Sequence, residues 1–178
     1  DLETGADGAR ILVERSHAVG VRLTDGREYR ARDVICNVTP TQLYQRLLEH
    51  LHSAEFCWQK HDATDRLVIF SERIETLRWL HKHLGDDLKL KANQIDVLHG
   101  GMTDTEQQDM VERFGRQDDP LRVMLCSDVA SEGLNLHYFC HRLVHFDLPW
   151  SLMVFQQRNG RVDRYGQKRQ PHIVYLFT

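Results

Sequence analysis

Apolar and polar positions follow two different rhythms along the chain, and the change comes after the first third. Ile11-Leu12-Val13 and Ala18-Val19-Gly20-Val21-Arg22-Leu23 are short β-type runs. Between the second run and the next comes Thr24-Asp25-Gly26-Arg27, a turn signal, because Asp-Gly supplies the left-handed backbone that a hairpin needs. Tyr29, Ala31 and Val34-Ile35-Cys36 continue the meander. Thr39-Pro40 then opens a helix, with the proline in the first turn where its missing N–H costs nothing. Leu43, Leu47, Leu48 and Leu51 form that helix's apolar face. This first part, residues 1–51, is a small β-meander plus one helix, too short for a large core of its own.

From about Trp58 onward strand and helix signals alternate. Leu67-Val68-Ile69-Phe70 is a continuous apolar run, the mark of a strand covered on both faces. A helix with a stripe of Ile74, Leu77, Leu80 and Leu84 follows. Ile95-Asp96-Val97-Leu98 predicts the next strand and His99-Gly100-Gly101 a loop. Thr103-Asp104-Thr105-Glu106 has the form of a capping box, opening a helix that carries Met110, Val111 and Phe114. Val123–Cys126 and Leu143–Phe146 predict two more strands, Ser151 starts another helix, and Ile173–Phe177 predicts the last strand. Such alternation implies an α/β fold, a parallel sheet with right-handed crossovers and helices on both faces. Residues 52–65, where Phe56, Cys57 and Trp58 stand among polar residues, are the expected seam and the expected weakest-packed region. Residues 66–178 form the expected second domain. Ligands of such a sheet bind at the carboxyl ends of its strands, here His99-Gly100-Gly101, Ser127 to Asn135, and Asp147-Leu148-Pro149.

Composition narrows the reading. The chain has 178 residues, 41% hydrophobic and 28% charged, with a net charge of −3. That is the composition of a globular protein. It gives no global argument for a nucleic-acid partner, which would need a local basic stripe. No run of about 18 apolar residues could span a bilayer. Asp1-Leu2-Glu3-Thr4 lacks the basic-then-apolar pattern of a signal peptide. The four cysteines, Cys36, Cys57, Cys126 and Cys140, include no C-x-x-C pair. A cytoplasmic, reducing location is the expectation. His137, His141 and His145 recur every fourth residue, which on a helix would suggest a metal face. Leu143–Phe146 reads as a strand and breaks that register, so no metal site is assigned.

Two clusters concentrate chemistry. Ser127-Asp128-Val129-Ala130-Ser131-Glu132-Gly133-Leu134-Asn135 directly follows a buried strand. Gly133 lets backbone N–H groups approach a phosphate or ribose. Ser127, Asp128 and Asn135 offer hydroxyl, carboxylate and amide groups to a sugar or a nucleic-acid backbone. An ordinary polar strand-to-loop transition would use the same residue types. The second cluster runs from Gln156 to Arg169, and between Arg158 and Arg169 it sets five basic residues against one acid. Arg161 and Arg164 are three apart, so on a helix they point the same way. Two such guanidinium groups can grip a triphosphate and neutralise charge that develops during phosphoryl transfer. The plainer alternative is a solvated basic helix end, which suits the helix dipole.

Together, in this order and behind these strands, the clusters resemble the C-terminal RecA-like lobe of superfamily-two helicases, in the Swi/Snf-related, RapA-like branch. Leu67-Val68-Ile69-Phe70-Ser71 is similar to that family's fourth motif, Ser127 to Asn135 to its fifth, and Gln157 to Gln167 to its sixth. Leu98-His99-Gly100-Gly101-Met102 and the helix ending at Phe114 match the region after the fourth. Gly166-Gln167 favours the Swi/Snf-related branch. The resemblance implies arginine-finger roles for Arg164 and its partner Arg161, and ATP-positioning roles for Gln157, Gly133 and Asn135. It places Ser127, His99 and Gly100 near a tracked nucleic acid, with double-stranded DNA the expected partner. Glu132 departs from the Arg or Gly of many helicases and is given no phosphate contact. No G-x-x-x-x-G-K-[ST] occurs in the chain. The resemblance therefore implies that ATP and Mg2+ are held mainly by an N-terminal RecA-like lobe outside it. The isolated chain is then expected to show no turnover.

The first part resembles an inner stretch of phytoene-dehydrogenase-like FAD/NAD(P) oxidoreductases, over roughly residues 4–51. Arg10–Glu14, Ala18–Gly26 and Asp33–Pro40 carry that likeness. The G-x-G-x-x-G fingerprint is absent and Gly8 stands where that family usually has valine, so no FAD site is assigned. Two other functional classes stay open at this point. One is a non-enzymatic nucleic-acid-binding or regulatory module, whose binding would survive Arg164→Ala. The other is a flavoprotein fragment, which would purify yellow.

Overall fold

A computed structural model of the chain describes residues 8–14, 17–31, 40–128 and 135–176. The chain separates into two compact units, one ending at Gln42 and the other running from Leu43 to Phe177. The first contains strands β1 (Gly8–Glu14), β2 (His17–Leu23) and β3 (Glu28–Arg30), paired antiparallel in the order β1-β2-β3. The Asp25-Gly26 turn closes between β2 and β3. Gly26 has φ +90°, and the Leu23 N–H donates to the Arg27 carbonyl at 2.8 Å. The backbones approach so closely at Gly20 that a Cβ there would stand 2.1 Å from the Tyr29 carbonyl oxygen, which admits only glycine. The predicted continuation through Val34-Ile35-Cys36 lies outside the described residues.

The second unit is built on a parallel sheet. In chain order its elements are α1 (Pro40–Leu51, which begins in the first unit), β4 (Arg66–Phe70), α2 (Ile74–Asp87), β5 (Ile95–Leu98) and α3 (Asp104–Phe114). They continue with β6 (Val123–Cys126), β7 (Cys140–His145), α4 (Leu152–Asn159) and β8 (His172–Tyr175). The five strands lie in the order β5-β6-β4-β7-β8, and every neighbouring pair is parallel. Leu67 and Ile69 of β4 join Leu125 and Val144 on one face, under Leu47 and Leu51 of α1 and Leu77, Leu80 and Leu84 of α2. Val68 and Phe70 join Met124 and Leu143 on the other face, under Met110 and Phe114 of α3. The continuous apolar run of β4 is thus buried on both sides, as a central parallel strand requires.

The division between units falls earlier than the seam expected over 52–65. That segment packs into the second unit because its few apolar side chains reach the core. Phe56 and Trp58 are buried with α1 and α2. The Trp58 indole N–H donates to the Asp65 carbonyl at 2.9 Å, and the Gln59 N–H donates to the Asp65 carboxylate at 2.9 Å. Arg142 of β7 pins the segment, donating to Asp65 and to the carbonyls of Phe56 and Cys57.

Two devices end the helix that crosses the second face. At its start, Thr103 Oγ1 accepts the Glu106 N–H and the Glu106 carboxylate accepts the Thr103 N–H at 2.8 Å, the capping box predicted from the sequence. At its finish, the fully buried Arg66 guanidinium donates to the carbonyls of Arg113, Phe114, Arg116 and Asp119, between the Phe114 and Phe139 rings. These are the orphan carbonyls of α3 and of the turn after it, where a cation also suits the helix dipole. Burial pulls the Arg66 pKa down to about 10, so the side chain stays charged at neutral pH.

Candidate functional site

The sheet ends in a level row. Leu98, Cys126, Phe70, His145 and Tyr175 stand side by side across β5, β6, β4, β7 and β8. The ladder runs one residue further, since Ser127 N–H donates to the Leu98 carbonyl at 2.9 Å and Ser71 N–H to the Cys126 carbonyl at 3.1 Å. Beyond that row the chain leaves the sheet, and the residues of the rim begin. His99 turns back on itself. Its Nδ1 accepts the Gly101 N–H at 3.1 Å, and its carbonyl accepts the Met102 N–H at 3.1 Å. Gly100 is exposed at the tip of that turn. On the neighbouring strand, Ser127 is 4% exposed, and among the described residues its hydroxyl has no hydrogen-bond partner. A buried hydroxyl left so is costly unless something completes it.

The second cluster folds against this rim. The helix expected to carry both Arg161 and Arg164 stops earlier, because α4 ends at Asn159 with Gly160 at its C-cap. Beyond it the chain winds in turns. The Arg161 N–H donates to the Arg158 carbonyl, and the N–H groups of Val162 and Asp163 both donate to the Asn159 carbonyl. The reason is packing: Val162 is fully buried in the apolar cluster with Met110, Phe114 and Leu136, and that burial bends the chain off the helical path. Gly166, at φ +96°, reverses the chain. The Gln167 amide then donates to the Val162 and Cys140 carbonyls at 2.9 and 3.0 Å.

Both arginines are tied to the segment where the first cluster ends. The Arg164 guanidinium donates to the Asn135 side-chain oxygen. The Leu136 N–H donates to the Arg161 carbonyl at 3.3 Å. Arg161 is half-buried, and its charge reaches the Cys126 thiol at the end of β6, where burial drives that thiol's pKa far up and Arg161 opposes the shift.

Beneath them lies a polar hub. Arg158 is 1% exposed. Its guanidinium makes a two-pronged pair with Asp128, Nε to Oδ1 at 2.5 Å and Nη2 to Oδ2 at 2.8 Å. It also donates to the Asp147 carbonyl at 2.9 Å and lies 3.4 Å from that residue's carboxylate. Asp147 in turn accepts the Ser71 hydroxyl and the Glu72 N–H. His145 sits 3.4 Å from Arg158 and 2.8 Å from the Asn159 side-chain oxygen, in a triangle of near-parallel rings with Phe155 and Tyr175. Burial pushes its pKa down to about 4, the Asn159 contact opposing and the Arg158 charge reinforcing the shift. A neutral ring with its proton on Nε2 satisfies both neighbours.

The structure joins Arg164 to Asn135 and the Arg161 backbone to Leu136, while Ser127, His99 and Gly100 stand together at the neighbouring ends of β6 and β5. Gln157 is exposed on α4, one residue before Arg158. Gly133, with the rest of 129–134, lies outside the described residues. His141 and His145 lie on strand β7, as the broken register implied, and among the described residues no three metal-ligating side chains converge. The sequence reading missed the partnership of Arg158 with Asp128 and Asp147. Its signal was an aspartate just beyond each of two strand ends, which burial alone turns into a pair of ligands for one arginine.

Comparison with known proteins bears on the family and the fold. The model of the helicase conserved C-terminal domain matches residues 42–166. RNA polymerase-associated protein RapA of Vibrio campbellii is 34% identical over 119 residues, 66% of this chain and 12% of that protein. RapA of Photobacterium profundum is 33% identical over the same length, with the same coverage. The chain thus spans 12% of the length of these curated relatives. Among solved structures, the C-terminal part of the Fun30 ATPase domain superposes with a TM-score of 0.64 at 21% identity, covering 81% of this chain and 44% of that one. Domain 2 of the Mss116p DEAD-box helicase, bound to an RNA duplex, gives 0.56 at 20% identity, covering 77% and 48%.

Proposed function

From the premise that this chain belongs to the helicase conserved C-terminal domain family, as a RapA-like C-terminal lobe, we propose that it is one half of an ATP-driven nucleic-acid motor. ATP is then the substrate, held with Mg2+ mainly by a second RecA-like lobe that carries the phosphate loop. Arg164 and Arg161 reach across to the γ-phosphate and stabilise the charge that spreads over it during transfer. Asn135 and Gln157 help position the nucleotide, and Gly133 lies beside the ribose. His99, Gly100 and Ser127 face the tracked strand, for which we propose double-stranded DNA. The grip is on phosphates rather than bases, so binding is salt-sensitive and nearly indifferent to sequence.

The observation that supports this reading best is the strap between the two clusters. Arg164 donates to Asn135, and Leu136 donates to the Arg161 carbonyl. The basic pair and Asn135, proposed to position the nucleotide, are thereby tied together.

The test pairs the chain with a phosphate-loop lobe, by grafting it in place of the corresponding segment of the Vibrio campbellii relative. DNA-stimulated ATP hydrolysis is expected. Arg164→Ala should lower kcat by about a thousandfold or more, the usual weight of an arginine finger, while DNA binding changes little. The chain alone should hydrolyse no ATP even with saturating duplex. Robust turnover by the chain alone, or hydrolysis in the graft indifferent to Arg164→Ala, sinks the proposal.

A further inference from the structure

We propose that Arg158 is the positioning residue of this site: its clamp on Asp128 and Asp147 sets the direction in which Arg161 and Arg164 project. The inference rests on the motor reading for its functional meaning, while its geometry stands apart from that reading.

Stability alone does not explain the clamp. A buried ion pair repays little more than its own desolvation, and an apolar side chain of similar volume often serves as well. What a buried guanidinium does supply is direction. Its planar fork meets Asp128 at two points, and a third contact reaches the Asp147 carbonyl. Three contacts to the ends of two strands fix both the rotation and the height of the last turn of α4. Lysine, a single point charge on a flexible stem, could not do this. The Phe70 ring lies 5.5 Å from the guanidinium carbon and closes the remaining side.

The arginine pair hangs directly from this anchor. Arg161 is bonded through its N–H to the Arg158 carbonyl, and only Gly160 and Asn159 intervene. On the far side of Arg161, Val162 is buried in the apolar cluster with Met110 and Phe114. The turn bearing the arginines is held in its middle by the Leu136 N–H on the Arg161 carbonyl, and at its two sides by a polar anchor before it and an apolar one after it. Gly160, which has no side chain to brace the turn, lies between them. Removing the polar anchor frees the start of the turn, so that the contacts left to it no longer fix the direction in which the arginines project.

The same clamp ties the basic pair to the opposite side of the rim. Asp128 follows Ser127 in sequence. Asp147 holds the Ser71 hydroxyl and the Glu72 N–H at the end of β4. A ligand that shifts Ser127 and Asp128 acts on Arg158 through two short hydrogen bonds, and through it on the arginine turn. This gives the site a short, rigid connection between the surface proposed for DNA and the groups proposed for ATP.

The test has two arms. In the first, side-chain NMR of the full chain follows the Nε–H signals of Arg161 and Arg164 and the amide of Asn135. Arg158→Lys and Asp128→Asn should broaden or average these signals while backbone signals of α1, α2 and β5 stay in place. In the second, the grafted ATPase described above should lose about a hundredfold in kcat with Arg158→Lys, while KM for ATP stays within about threefold, because misplacement rather than lost binding is at work. Unchanged Arg161 and Arg164 signals in the folded variants overturn the inference, as does a loss shared equally by kcat and KM. If Arg158→Lys fails to fold, Asp128→Asn, which keeps the arginine and the shape of its partner, decides the matter. A wild-type graft without stimulated hydrolysis would overturn the motor reading, whereas a normal Arg158→Lys rate in an active graft would overturn only this inference.

Discussion

Three arginines show what a single residue type can do when burial decides its role. Arg66, Arg142 and Arg158 look in the sequence like ordinary surface charges. In the fold Arg66 finishes a helix, Arg142 pins a loop and Arg158 anchors a turn. Charge is legible from sequence, but the carbonyls and carboxylates that gather around it come from distant segments, so the role is not. His145 carries the same lesson in pH. Its pKa is near 4 in the fold against 6.5 when free. The unfolded chain therefore takes up a proton as pH falls through about 6.5, which the folded chain refuses until near 4. Stability should be full above pH 6.5 and decline from there toward pH 4. His50, His137 and His141 are also pushed down by burial and act in the same sense. Thermal unfolding should give a lower Tm at pH 5 than at pH 7.5, with the gap narrowed by His145→Gln. An unchanged gap in that variant would remove His145 from the account.

At the scale of elements, most of the second unit was legible. The runs Ile95–Leu98 and Val123–Cys126 are the strands themselves; the second is buried throughout and so apolar throughout, while the first, at the sheet's edge, admits Asp96. The capping box of α3 was equally plain, since both partners lie within one turn of sequence. Thr103→Ala should lower stability by about 1 kcal/mol, measured by denaturant titration with an unchanged m-value. A change under about 0.3 kcal/mol would mean that α3 is held by its packing and by Arg66 alone. The end of α4 was less legible. Spacing alone let the helix run on through Arg164, but a buried Val162 and a capping Gly160 stop it at Asn159. The arginines stand on turns, not on a helix face.

At the scale of the whole molecule, the chain is two units of unlike construction. The antiparallel meander ends before Leu43, and the family model begins at residue 42. The sequence reading put the boundary at the 52–65 segment, whereas the two compact units divide after Gln42. The apolar face of α1 reads as the close of a small domain, and what it covers is visible only once Leu47 and Leu51 meet Leu77 and Leu80. Tyr44 completes that docking, its hydroxyl donating to Asp87 at 2.6 Å. A chain beginning at Pro40 should therefore keep the cooperative unfolding transition of the second unit, with Tm nearly unchanged by calorimetry. A collapse of that transition would show that the sheet depends on the meander.

The guanidinium that opens β4 also closes α3, across 48 positions of sequence, and this bears on how the molecule assembles. The last turn of α3 cannot settle until the first residue of the central strand is in place, and that residue has no home for its charge until the turn exists. Edge and centre of the second unit are thereby committed to appear together, late, as one cooperative event, whatever order the ribosome delivers them in.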